Sequence, residues 1–225
     1  MKSSTFRNDI LRLYLNATAI ANLADNAATS PVTNTQVALH TASPGIGGDQ
    51  TTSEIAYTGY ARQAVARTTG GWTVTGNSAS PVAAIQFPEM TAGAGGLATH
   101  FSVGTAASGA GKVMRFGVLG SRLGPFSAVV SGNAFTIPGL SGLAVNDRII
   151  FHAVDGSSLP GGVTEGTSYW VITVTGDVVT ISTTQGGASI TVSSAGDGIA
   201  YRSTPISVVN GVAPQLKTTT VIVEE

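Results

Sequence analysis

The sequence predicts a mainly β protein: an antiparallel β-sandwich with an N-terminal helix and an inserted small β-barrel or sandwich. Three observations predict it. From Thr35 onward, short β-branched runs alternate with Gly, Pro, Asn and Ser turns. Only one stretch, at the N-terminus, has a helical period. The 29 glycines mark many turns. A parallel arrangement would need further crossover helices, so the sheets should be mainly antiparallel.

In the N-terminal stretch Phe6, Ile10, Leu13, Ala17 and Ile20 recur at three- and four-residue steps. This spacing predicts a helix from about Thr5 to Leu23, capped by Ser3, Ser4 or Thr5 and stopped by "NAATSPVTN" from Asn26. Such a helix either covers the open face of a sheet or serves as an interface arm. Candidate strands follow at Thr35 to Thr41, Tyr60 to Thr69, Gly71 to Thr75, Val82 to Phe87, Ala98 to Gly104 and Lys112 to Leu119.

After Leu123 the pattern changes. Strands at Asp147 to Val154, Tyr169 to Val174 and Val178 to Thr183 are separated by Pro/Gly loops, and "VTGDVV" reads as a tight hairpin with Gly176 and Asp177 at its tip. The tail "ISVVNGVAPQLKTTTVIVEE" returns to β runs, and a terminal strand usually pairs with the domain that lacks one. Three regions are therefore expected: a helical arm at 1–25, a sandwich formed by 26–123 together with 205–225, and an inserted β domain at 124–204.

Composition narrows the function. Charged residues make up 10% of the chain, against ~25% in an ordinary soluble domain, so much of the surface must be Ser, Thr, Asn and Gly, which suits packing against neighbours. A net charge of −1 offers no attraction to a phosphate backbone or an anionic membrane, and neither nucleic acid nor membrane is an expected partner. Cysteine is absent, which excludes disulfides and thiolate chemistry. Arg7, Asp9, Arg12 and Asp25 interrupt the apolar residues at the N-terminus, leaving no run of signal-peptide or membrane-span length.

Catalytic patterns do not emerge. "GAGGLA" at Gly93 to Ala98 fits a dinucleotide fingerprint, but a strand follows where the motif needs a helix. "GAGK" ending at Lys112 lacks the first glycine and the Ser/Thr of a phosphate loop. A G-x-S-x-G elbow is missing. His40, His100 and His152 lack metal-ligand spacing and sit in predicted strands as structural histidines, although folding could bring two of them together. "SAGDG" around Asp197 reads as a turn. Tyr169 and Trp170, which could line a sugar site, alternate as core residue and half-exposed neighbour. The expectation is no enzyme, no catalytic, cofactor-binding or metal residue, and no cofactor.

Polar loop residues Pro44, Gly45, Gly47 and Gly48 let the chain leave one strand and cross the end of the sandwich. Tyr57 and Tyr60 would re-anchor it with buried rings and wet hydroxyls, and Arg62 shares a face with Tyr60.

The segments "VALHTASPGIGGDQTTSEIAYTGYARQAVART", "GWTVTGNSASPVAAIQFPEM", "ATHFSVGTAASGAGKVMRFGVL" and "ISVVNGVAPQLKTTTVIVEE" resemble a family of small tailed-bacteriophage virion proteins described as head decoration or tail fibre proteins. "LPGGVTEGTSYWVITVTGDVVTIS" separately resembles a β module of phage structural proteins. The resemblance implies a virion structural protein. Its leading form is a homotrimeric capsid decoration or cement protein on the capsid exterior that bridges subunits of the major capsid protein. The alternative is a tail or tail-fibre component whose inserted module binds host carbohydrate.

Overall fold

The computed structural model describes residues 4–20, 32–154 and 156–223. Its elements are a helix α1 (Ser4–Leu15), then β1 (Asn34–His40), β2 (Gln63–Ala66), β3 (Trp72–Thr75), β4 (Ser78–Pro81), β5 (Ile85–Gln86), β6 (Gly96–Ala98), β7 (His100–Gly104) and β8 (Val113–Val118). Strands β9 (Gly120–Val129), β10 (Ala134–Thr136), β11 (Arg148–His152), β12 (Ser168–Thr175), β13 (Val178–Ser182) and β14 (Gly196–Ser203) come next, followed by β15 (Ile206–Val208), β16 (Gln215–Leu216) and β17 (Ile222–Val223). The fold is mainly β, its ladders are antiparallel, and α1 is the one α-helix among the described residues.

A four-stranded sheet in the order β2-β1-β7-β8 shares one core with three short ladders, β17-β4-β3, β15-β6 and β16-β5. Val37 and Leu39 of β1 and Phe101 and Val103 of β7 pack there against Trp72, Ile85, Leu216 and Ile222. Each tail strand thus completes a ladder begun before residue 100. Ile222 points inward and its neighbours Val221 and Val223 are exposed.

The helix is shorter than its period predicts. Asn16 and Thr18 both donate backbone N–H groups to the Arg12 carbonyl, Ala17 adopts φ +54, and the chain leaves helical geometry after Leu15. Arg67 donates to the Leu13 and Tyr14 carbonyls, satisfying acceptors that a helix C-terminus leaves open. The buried side chains are Leu11 and Leu15, one turn apart, while Ile10 and Leu13 of the expected stripe are only half-buried. Ser3, the side chains of Ser4, Thr5 and Phe6, and the expected helix end and stop over residues 21–31 lie outside the described residues.

Other strands depart from expectation as well. The run from Tyr60 to Thr69 pairs only over Gln63–Ala66, Val82 to Phe87 contracts to Ile85–Gln86 with a strand formed earlier at Ser78–Pro81, and Ala98 to Gly104 breaks at Thr99 between two sheets.

The second core lies inside a closed six-stranded barrel, β10-β13-β12-β11-β14-β9. Phe151 sits at its centre, with ring centroids 4.6 Å from Phe126 and 4.9 Å from Phe135. The β12–β13 hairpin turns at Gly176 and Asp177, with φ +58 at the glycine. Asp197 is not in a turn: it belongs to β14 and pairs with Ser127. β14 can close the barrel because Gly198 has no side chain, since a Cβ there would stand 2.2 Å from the His152 carbonyl oxygen. Gly124 and Pro125 lie within β9, beside a register shift opposite Ala200 and Tyr201.

Candidate functional site

Directly opposed residues of antiparallel strands share a face. The pairs Gln36–Gly104, Ala38–Ser102 and His40–His100 therefore place a polar row on the side of the sheet away from the apolar core, and Ser102–Phe116 and His100–Val118 extend it onto β8. His40, His100 and Ser102 are fully buried. Two structures cover them: the crossover loop after β1 and the barrel.

The crossover loop is fastened to this face rather than solvated. Gln50, fully buried, donates from Nε2 to the Gln36 carbonyl and accepts at Oε1 from the Ala106 N–H, while its own N–H donates to the Gly111 carbonyl. Gly104 and Gly111 are small for this reason: a Cβ on either would fall within 2.1–2.3 Å of the Gln50 amide group. Thr41 and Ile55 N–H groups donate to the Ser53 and Leu39 carbonyls. At the loop tip, Ile46 is 94% exposed.

The return segment is locked by a shared carboxylate. Arg62 grips Glu54 with Nε and Nη2 at 2.7 and 2.8 Å, and the Tyr60 hydroxyl donates to the same Glu54 at 3.0 Å. The Leu39 N–H in turn donates to the Tyr60 oxygen. The Tyr57 hydroxyl donates to the Pro88 carbonyl. Both tyrosine hydroxyls are thus bonded within the protein, not left wet as expected. Burial pushes the Tyr60 hydroxyl's pKa up, and the bond to Glu54 raises that of Arg62. Tyr60 and Arg62, both in the extended segment before β2, thus reach one carboxylate.

All three histidines are hydrogen-bonded, and two of them meet. The His40 Nδ1–H donates to the Thr52 carbonyl at 2.9 Å and its Nε2 accepts from Ser102 at 2.8 Å. His100 contacts Thr99 Oγ1 through Nδ1, and its Nε2 lies 3.5 Å from Nε2 of His152 on the barrel. His152 Nδ1 contacts Glu165 at 3.2 Å and its ring meets Tyr201 edge to face. Burial, then the neighbouring His152 and His40, pushes His100 down to about 3, and burial likewise lowers His40. Sequence spacing cannot reveal this contact, because 52 residues and two different sheets separate the pair.

Tyr169 is buried and its oxygen accepts from the Thr164 N–H; Trp170 is half-buried with the Arg148 guanidinium 4.0 Å over its ring. "GAGGLA" forms the approach to β6, and Gly95 there packs against the Val208 carbonyl. An open groove of about 690 Å³ runs between barrel and sheet past Leu119, Arg122, Ile206 and Lys217. Among the described residues, no three His, Cys, Asp or Glu side chains converge as a metal cluster, and no helix is long and apolar enough to cross a membrane.

No curated protein matches the chain. The family model described as Podophage GP4 fiber I protein gp80 matches residues 5–138, which takes in α1 from Thr5 on, the whole four-stranded sheet, the crossover loop and the first two barrel strands. With well over half of its length inside that match, the chain belongs to this family of fibre-type structural proteins of the phage virion.

Proposed function

We propose that the chain is a structural subunit of a virion fibre, in preference to a cement protein of the capsid shell. The observation that carries this reading is the extent of the family match, which holds the sheet, its polar face and the loop that covers it, and ends inside the barrel at residue 138. In this reading the sheet and helix form the base that joins neighbouring virion proteins, with Ile46 at the loop tip as an apolar anchor, and most of the barrel is the outward module. Trp170, braced by Arg148, gives that module an aromatic face suited to host carbohydrate.

Phage particles lacking the chain distinguish the two roles. A fibre subunit predicts particles of normal heat resistance that adsorb poorly to cells, with adsorption restored when the gene is supplied in trans. Particles that adsorb normally but release DNA at lower temperature would reverse the choice and make the chain a shell cement.

A further inference from the structure

We propose that His100 and His152 form a two-histidine site for a divalent transition-metal ion of the Zn²⁺, Cu²⁺ or Ni²⁺ class, clipping the barrel to the polar face of the sheet. This departs from the expectation of no metal residue. Thr99 Oγ1 donates its single proton to the Thr41 carbonyl at 2.8 Å, so toward His100 it can only accept, and the His100 proton is on Nδ1. Glu165 offers His152 a carboxylate oxygen, which accepts and so fixes the second proton on Nδ1 as well. With both rings neutral, this leaves both Nε2 atoms bare and facing one another at 3.5 Å. Two opposed lone pairs, one on fully buried His100 and one on half-buried His152, call for a bridging cation.

An ion ~2.0–2.1 Å from each nitrogen spans the 3.5 Å separation with an N–metal–N angle of about 115°, close to tetrahedral. The 5.6 Å between ring centroids fits the same placement with both ring axes aimed at the ion. Imidazole nitrogen selects the borderline metals over Mg²⁺ and Ca²⁺. Outer contacts match as well: metal-bound histidines give their remaining N–H to a carboxylate, hydroxyl or carbonyl, and Glu165 and Thr99 occupy those roles. A cavity of about 130 Å³ opens on the pair between Phe116, Val118 and Tyr201, with room for water to complete the coordination.

The test uses the full chain, without an affinity tag and freed of metal by chelation. Titration with Cu²⁺ should give one bound ion per chain, and its electron paramagnetic resonance spectrum should carry splitting from two imidazole nitrogens. Added Zn²⁺ should raise the melting temperature. His152→Ala should abolish both effects, while E165Q, which keeps both ligands, should weaken binding about tenfold. Circular dichroism checks that each variant is folded; should His152→Ala unfold, the E165Q shift and the two-nitrogen spectrum decide alone. Absence of stoichiometric binding, a spectrum without two imidazole nitrogens, or unchanged affinity in a folded His152→Ala would overturn the site.

Discussion

Gln50 shows how single side chains hold the crossover loop in place. Its amide joins β1 to the turn around Ala106 and its backbone reaches Gly111, all without contact with water. Gln50→Ala deletes both amide bonds, leaves buried backbone groups unpaired and opens a void, so a loss of about 2–4 kcal/mol is expected in denaturant melts. The Glu54 carboxylate carries the other half of the anchorage. Arg62→Met leaves that partly buried charge with Tyr60 alone, which should cost about 3 kcal/mol, and E54Q added to Arg62→Met should recover part of it because no orphan charge remains. Equal losses in the single and double variants would contradict the shared-carboxylate arrangement. The convergence of Tyr60 and Arg62 agrees with the two-residue spacing in the sequence, although both precede β2 and meet through Glu54 rather than through a strand face. The roles of Gln50 and Glu54 were not legible there, since their partners are backbone groups and side chains that only the fold brings near.

At the scale of elements, the helix explains where periodicity misleads. In "LRLYL", from Leu11 to Leu15, apolar residues occupy more than one face, and the choice between the stripe through Ile10 and Leu13 and the one through Leu11 and Leu15 is made by the sheet beneath. Leu15→Ala is expected to destabilise the protein by about 2–5 kcal/mol, and Leu13→Ala by clearly less; chemical denaturation of the two variants checks the order. Strands with β-branched or apolar runs bounded by turn residues, such as β1 and β12, stand out in the sequence. Strands β9 and β14 do not, because Gly124, Pro125, Gly196 and Gly198 look like breakers when read locally. In the barrel they are a register shift and a close strand approach, both set by partners far along the chain.

Across the whole molecule, two separate hydrophobic cores are linked by two adjacent chain crossings and by the seat of the barrel on the polar face of the sheet at His100 and His152. The chain enters the barrel after Leu119, buried in the first core, and returns at Thr204, whose N–H donates to the Leu119 carbonyl at 2.7 Å. Replacing residues 120–203 with a short Gly/Ser turn should therefore leave a first core that melts cooperatively with β-type circular dichroism. A soluble but unfolded product would show that the cores depend on each other. The same layout gives the fibre proposal its geometry, with a base built from the family-matched sheet and a module held on two adjoining strands.

A cryo-electron microscopy map of the intact virion, resolved well enough to place this chain, tests the central claim most directly. The account predicts density for the sheet and barrel in a fibre, with the family-matched base against neighbouring fibre or tail proteins and the barrel turned outward. Density repeating over the capsid shell and bridging its major subunits would contradict it.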